Sequence, residues 1–86
     1  MKHFAATGFW KRYGSLPPAV RGTADKCFRI MKQDPRHPSI ALKKVGRYYA
    51  ARVGLHYRAL ALETADGLVW FWIGSHAEYD QIITRD

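Results

Sequence analysis

Cysteine occurs once in the 86 residues, at Cys27, and there are only seven Asp and Glu against fourteen Lys and Arg. A single thiol excludes an internal disulfide framework and any zinc cage of several cysteines, so packing alone must hold the core. That suits a reducing cytoplasm. Long apolar runs are also lacking: the longest, Leu68 to Ile73, has six residues, far short of the ~20 of a membrane helix. No membrane span is expected. Met1 to Thr7 carries one Lys and no extended apolar stretch, so no signal peptide is expected there. The few carboxylates are scattered, without the ligand density of a metal site, and neither a metal nor a cofactor is expected. Repeats, low-complexity tracts and polar linkers are missing, so residues 1–86 read as one small domain.

What is abundant is positive charge. A formal net charge of +7 and a pI near 9.9 favour a polyanionic partner, because the summed potential attracts phosphate whatever the fold.

Apolar spacing predicts two helices first. Thr7 is a cap candidate ahead of Phe9, Trp10, Tyr13 and Leu16, and Gly14 ends or loosens that helix. Leu16-Pro17-Pro18 opens a second helix, in which Val20, Ala24, Cys27, Phe28 and Met31 form one apolar face. On that face Cys27 reads as a buried thiol, not a nucleophile. The prolines of 34–39 end it. Four strands are then expected: Ile40 to Val45, Tyr48 to Val53, His56 to Glu63 and Leu68 to Ile73. Asp66-Gly67 signals a type I′ hairpin turn. The last strand is apolar on both faces, as in a central strand covered on both sides. A short helix, Ala77 to Ile83, closes the chain. The expected architecture is α+β: two N-terminal helices on a curved, four-stranded, mainly antiparallel sheet, with helices on one face and a short C-terminal helix.

Three constellations could carry chemistry. In Gly74-Ser75-His76-Ala77-Glu78-Tyr79-Asp80, Ser75 and Glu78 have the spacing of a capping box. His76 then stands at the first helical position, where a helix N-terminus favours anions, and Tyr79 shares roughly its face. The plainer alternative makes His76 an exposed first-turn residue and Tyr79 a core aromatic. In Arg52-Val53-Gly54-Leu55-His56-Tyr57-Arg58, a hairpin centred near Leu55 would set Arg52 opposite Arg58, but the sequence does not fix the register, and a one-residue slip sends the two to opposite faces. Such a pair is either solvated at a rim or waiting for an anion, since Arg suits bidentate phosphate contact. Lys43, Lys44 and Arg47, with Tyr48 and Tyr49 beyond, combine cations and rings as single-stranded RNA binding does. Lys at a strand edge also serves simply to block aggregation. Trp70, Phe71 and Trp72 read as core.

The stretch Trp70-Phe71-Trp72-Ile73 followed by Gly74 to Asp80 resembles the end of toxins in the RelE/ParE superfamily, especially the GTHAEYD signature of HigB-like members. Arg52-Val53-Gly54 with Tyr57-Arg58-Ala59-Leu60 resembles the superfamily's RVG…YR hairpin. Phe9-Trp10 to Leu16-Pro17-Pro18 resembles its leading helix. The likeness runs in order from Phe9 to Ile83. It implies the toxin of a bacterial type II toxin–antitoxin pair, with a cognate antitoxin as partner. Nuclease-type members are ribosome-dependent mRNA interferases; gyrase-poisoning members share the fold and hydrolyse nothing. Arg58 matches the strand arginine of the nuclease type, and His76 and Tyr79 match the signature. Ala77 and Glu78 stand where several RelE members carry further basic residues.

The expected site is therefore His76 for proton transfer, Arg58 and Arg52 for the phosphate and Tyr79 for orientation or acid catalysis. Lys43, Lys44, Arg47 and Tyr49 are expected on the RNA. His suits proton transfer near neutral pH, and Arg supplies permanent charge where negative charge develops. The alternatives are inhibition of a protein target such as DNA gyrase, or a nontoxic or decayed RNA-binding module.

Overall fold

The computed structural model describes residues 2–85, and three helices and five strands form among them. They run β1 (Lys2–Ala5), α1 (Thr7–Gly14), α2 (Pro18–Gln33), β2 (Lys43–Val45), β3 (Tyr48–Val53), β4 (Tyr57–Thr64), β5 (Gly67–Ser75) and α3 (His76–Arg85). One sheet carries all five strands, in the order β1-β5-β4-β3-β2.

Two features of the sheet correct the expectation of four mainly antiparallel strands. Lys2–Ala5 is a fifth strand and lies parallel to β5, with Lys2 opposite Gly67 and Ala5 opposite Trp70. The sheet is therefore mixed. β2 also begins later than expected. Ala41 has a φ of +47°, which breaks extended backbone, so Ile40 belongs to the preceding loop. Its side chain, 1% exposed, plugs the core, while its carbonyl accepts the Arg52 backbone N–H at 2.7 Å. Full burial of such a side chain contributes about 1.5–3 kcal/mol.

The turn between β4 and β5 differs from the type I′ form too. Asp66 has no positive φ; only Gly67 does, at +146°. Gly67 serves a close approach instead: a Cβ there would lie 2.2 Å from the Lys2 carbonyl oxygen. Thr7 is the first residue of α1 and not its cap, a position held by Ala6 without a side-chain bond. Where β1 ends, α1 follows along the edge of β5, beginning where the Ala6 N–H donates to the Trp70 carbonyl at 2.9 Å.

A bulge resolves the doubly apolar β5. Leu60 pairs with Trp72 and Ala61 with Trp70, leaving Phe71 as the extra residue. The kink sends Leu68, Trp70 and Ile73 into a core beneath α1 and α2, shared with Ala51, Val53 and Ala59. Trp72 joins the opposite cluster with Tyr48, Ala50, Leu60 and Tyr79, flanked by Phe71, Ile82 and Ile83. The helices thus do not share one face: α3 covers the side away from α1 and α2. Cys27 is half-buried against the first core and is free. No helix among the described residues is long and apolar enough to cross a membrane.

Candidate active site

The α3 side of the sheet collects the arginines. Arg52 and Arg58 are direct partners across β3 and β4. Both alternate in step with Ala50 and Leu60, which face α3. The pairing of Val53 with Tyr57 closes the hairpin through Gly54, whose φ of +65° suits glycine. Arg58 is half-buried. Its guanidinium donates to the Tyr57 carbonyl at 2.7 Å. Burial, and then the charge of Arg52, hold its pKa below the ordinary arginine value, while Tyr79 and Asp80 on α3 oppose that shift. On β5 its partner is Gly74, which presents no side chain.

α3 enters over this hairpin end. The capping box forms as its spacing predicts: Ser75 Oγ accepts from the Glu78 N–H at 3.2 Å, and Glu78 Oε1 accepts from the Ser75 N–H at 3.1 Å. Arg12, reaching from α1, fastens the same corner. Its Nε donates to the Ile73 carbonyl at 3.0 Å, its Nη2 meets Glu78 Oε2 at 3.2 Å, and its guanidinium lies 5.0 Å from the Trp72 ring centre. The bonds from Ser75, with help from Arg12, hold the Glu78 carboxyl below its usual range.

His76 is the first residue of that helix. Its backbone N–H donates to the His56 carbonyl at 2.8 Å, tying α3 to the hairpin tip. Its Nδ1 lies 3.0 Å from Asp80 Oδ2, and its ring stands edge-on to Tyr79 with centres 5.8 Å apart. Tyr79 is buried, and burial raises its phenol pKa, with Arg58 pulling the other way. Arg52, Arg58, His76 and Tyr79 therefore gather at one end of one face, with Asp80 among them.

The second basic set divides. Lys43 pairs with Ala50 and Lys44 with Tyr49, so consecutive lysines point to opposite faces. Lys43 shares the arginine face. Lys44 and Tyr49 lie on the α1–α2 side, where Tyr49 packs half-buried against the core. Arg47 sits in the β2–β3 turn over Tyr48, 5.2 Å from its ring centre and 3.1 Å from its hydroxyl. Strict alternation along a strand carried this division in the sequence. Asp80 was also legible, as the residue one helical turn after His76. Arg12 was not, since its three contacts join segments remote in sequence.

The sequence matches no family profile and no curated protein. Solved structures do match. The RelB-RelE antitoxin-toxin complex from Methanococcus jannaschii gives a TM-score of 0.70 at 17% identity, covering 92% of this chain and 96% of that one. A copper-bound mutant toxin from Helicobacter pylori gives 0.57 at 21%, covering 91% and 97%. The fold is that of RelE-like toxins. Within this RelE-like fold the arginine pair and the start of α3 lie on the side of the sheet away from the α1–α2 pair, at the turn end of the β3–β4 hairpin.

Proposed function

We propose that the chain is the toxin of a toxin–antitoxin pair and acts as a ribosome-dependent endoribonuclease on mRNA. The observation that carries this reading is the convergence of Arg52 and Arg58 with His76 on one face of a RelE-like fold. Two guanidiniums set directly opposite one another repel, and a phosphate between them relieves that repulsion. His76 takes the proton of a ribose 2′-OH as its oxygen attacks the adjacent phosphorus. The bond from phosphorus to the 5′-oxygen then breaks, and that oxygen leaves with a proton from solvent or from the His76 imidazolium of the preceding step. The products are a 2′,3′-cyclic phosphate and a 5′-hydroxyl. Arg58 and Arg52 stabilise the charge on the crowded phosphorus.

Tyr79 remains a neutral phenol and serves orientation better than acid catalysis, because burial keeps its proton on. Lys43, on the same face, and Arg47 at its margin follow the RNA backbone. Lys44 and Tyr49 reach RNA only if it passes around the β2 edge. The antitoxin partner rests on the complex in which the RelE neighbour occurs, and on the basic face that an acidic segment would neutralise.

The test is to induce the chain with and without the product of the adjacent gene, then map RNA ends and measure plasmid supercoiling in one culture. New mRNA ends positioned by codon, lost with His76→Ala, are expected. Supercoiling defects with intact mRNA would transfer the reading to a gyrase-type target. Normal growth would leave a nontoxic module.

A further inference from the structure

We infer that Asp80 is the positioning residue that fixes the His76 imidazole for proton transfer; this rests on the RNA-cleaving reading above. An ionised carboxylate only accepts hydrogen bonds, so the 3.0 Å contact between Asp80 Oδ2 and His76 Nδ1 puts the imidazole proton on Nδ1. The lone pair of the neutral ring then lies on Nε2. Three contacts set the ring's place: Asp80 on one nitrogen, Tyr79 edge-on, and the backbone bond from His76 to His56.

A simple helix-stabilising ion pair accounts poorly for this arrangement. In such pairs the acid stands N-terminal to the base, in line with the helix dipole, whereas here the base comes first. Both side chains are about half exposed, at 46% and 55%, and exposed pairs of this kind contribute little to stability. The charge of Asp80 is also felt by Arg58, the arginine assigned to the phosphate. A site built only to hold an anion would be better without a carboxylate there. Orientation of His76 explains why one stands in a basic site, much as an acid orients the histidine of a hydrolytic triad.

The experiment reads the His76 tautomer by ¹⁵N NMR of the full chain in mildly alkaline solution, alongside single-turnover cleavage of ribosome-bound mRNA. Wild type should show the Nδ1–H form, and Asp80→Ala a shift toward the Nε2–H form that unconstrained imidazole prefers. Asp80→Glu, which can still reach Nδ1, should restore part of the Nδ1–H population. Asp80→Ala should lower kcat about tenfold or more, with KM unchanged or reduced because Arg58 loses an internal competitor. In a His76→Ala background it should cost nothing further. An unchanged tautomer in Asp80→Ala, or an equal loss with and without His76, would overturn the assignment. Wild-type protein that cleaves no RNA would remove the nuclease reading, while the tautomer measurement would still decide whether Asp80 orients His76.

Discussion

Arg52 and Arg58 face each other across the β3–β4 pair, on the side of the sheet that α3 covers. Like charges directly opposite cost up to about 1 kcal/mol, so the folded chain carries a small strain at this point. Replacing Arg52 by Gln is therefore expected to raise thermal stability slightly at low ionic strength and to weaken RNA cleavage. Added phosphate or sulfate should stabilise wild type more than the variant. Thermal denaturation across a salt and anion series checks this; equal anion responses would count against a shared anion site.

A second expectation concerns acid. His3 Nδ1 accepts from Trp70 Nε1–H at 3.1 Å, and its ring stacks on Trp70. Burial, aided by the charge of Lys32, holds the His3 pKa below its ordinary 6.5. The unfolded chain thus takes up this proton before the folded one does. The His3 contribution is fully present above pH 6.5 and is lost as pH falls through the lower folded value. Wild-type Tm should drop over that window, and His3→Gln should flatten the slope. Trp70 fluorescence gives a local readout of the same event.

The corner held by Arg12 should respond to both mutation and pH. Arg12→Ala is expected to cost about 1 kcal/mol, because a charge-assisted bond to Glu78 and a bond to the Ile73 carbonyl are lost together. Hydrogen exchange should quicken in α3 before it does in β3 or β4. The Glu78 carboxyl is held below its ordinary 4.5, so its share of stability is present above that pH and fades as pH falls through the folded value. Glu78→Gln should remove this acid limb, which a pH series of α3 exchange rates would show.

Gly67→Ala should be among the most damaging single changes. The new Cβ would meet the Lys2 carbonyl oxygen at 2.2 Å, and the φ of +146° is itself unsuited to alanine. Backbone strain alone costs about 1–3 kcal/mol. Detachment of β1 is the easiest relief, so denaturation should show the loss and exchange should be fastest in Lys2–Ala5. An undisturbed β1 in that variant would refute this account.

Much of the site was legible from local pattern. Ser75 with Glu78 set the start of α3, because a capping box is governed by neighbours in sequence, whereas the register that opposes Arg52 to Arg58 stayed open until the pairing of Val53 with Tyr57 fixed it. β1 escaped because its four residues carry little alternation; only pairing with β5, more than sixty residues on, makes them a strand. Lys43 and Lys44 are one cluster along the chain but two in space, because side chains in a strand alternate. The face taken by α3 was hidden for a different reason. It depends on the bulge at Phe71, and a run of six apolar residues does not reveal where its alternation slips.

The place of β5 between β1 and β4 also fixes an order of events during synthesis. β1 precedes every other element among the described residues, but its partner β5 is made after β2, β3 and β4, and α3 with His76 follows later still. β2, β3 and β4 can pair as they appear, so a partly made chain already carries its arginine pair. It lacks the imidazole. A product terminated before α3 would hold a basic hairpin without the group proposed to move the proton, so the competence proposed for this chain arrives only once α3 has followed β5.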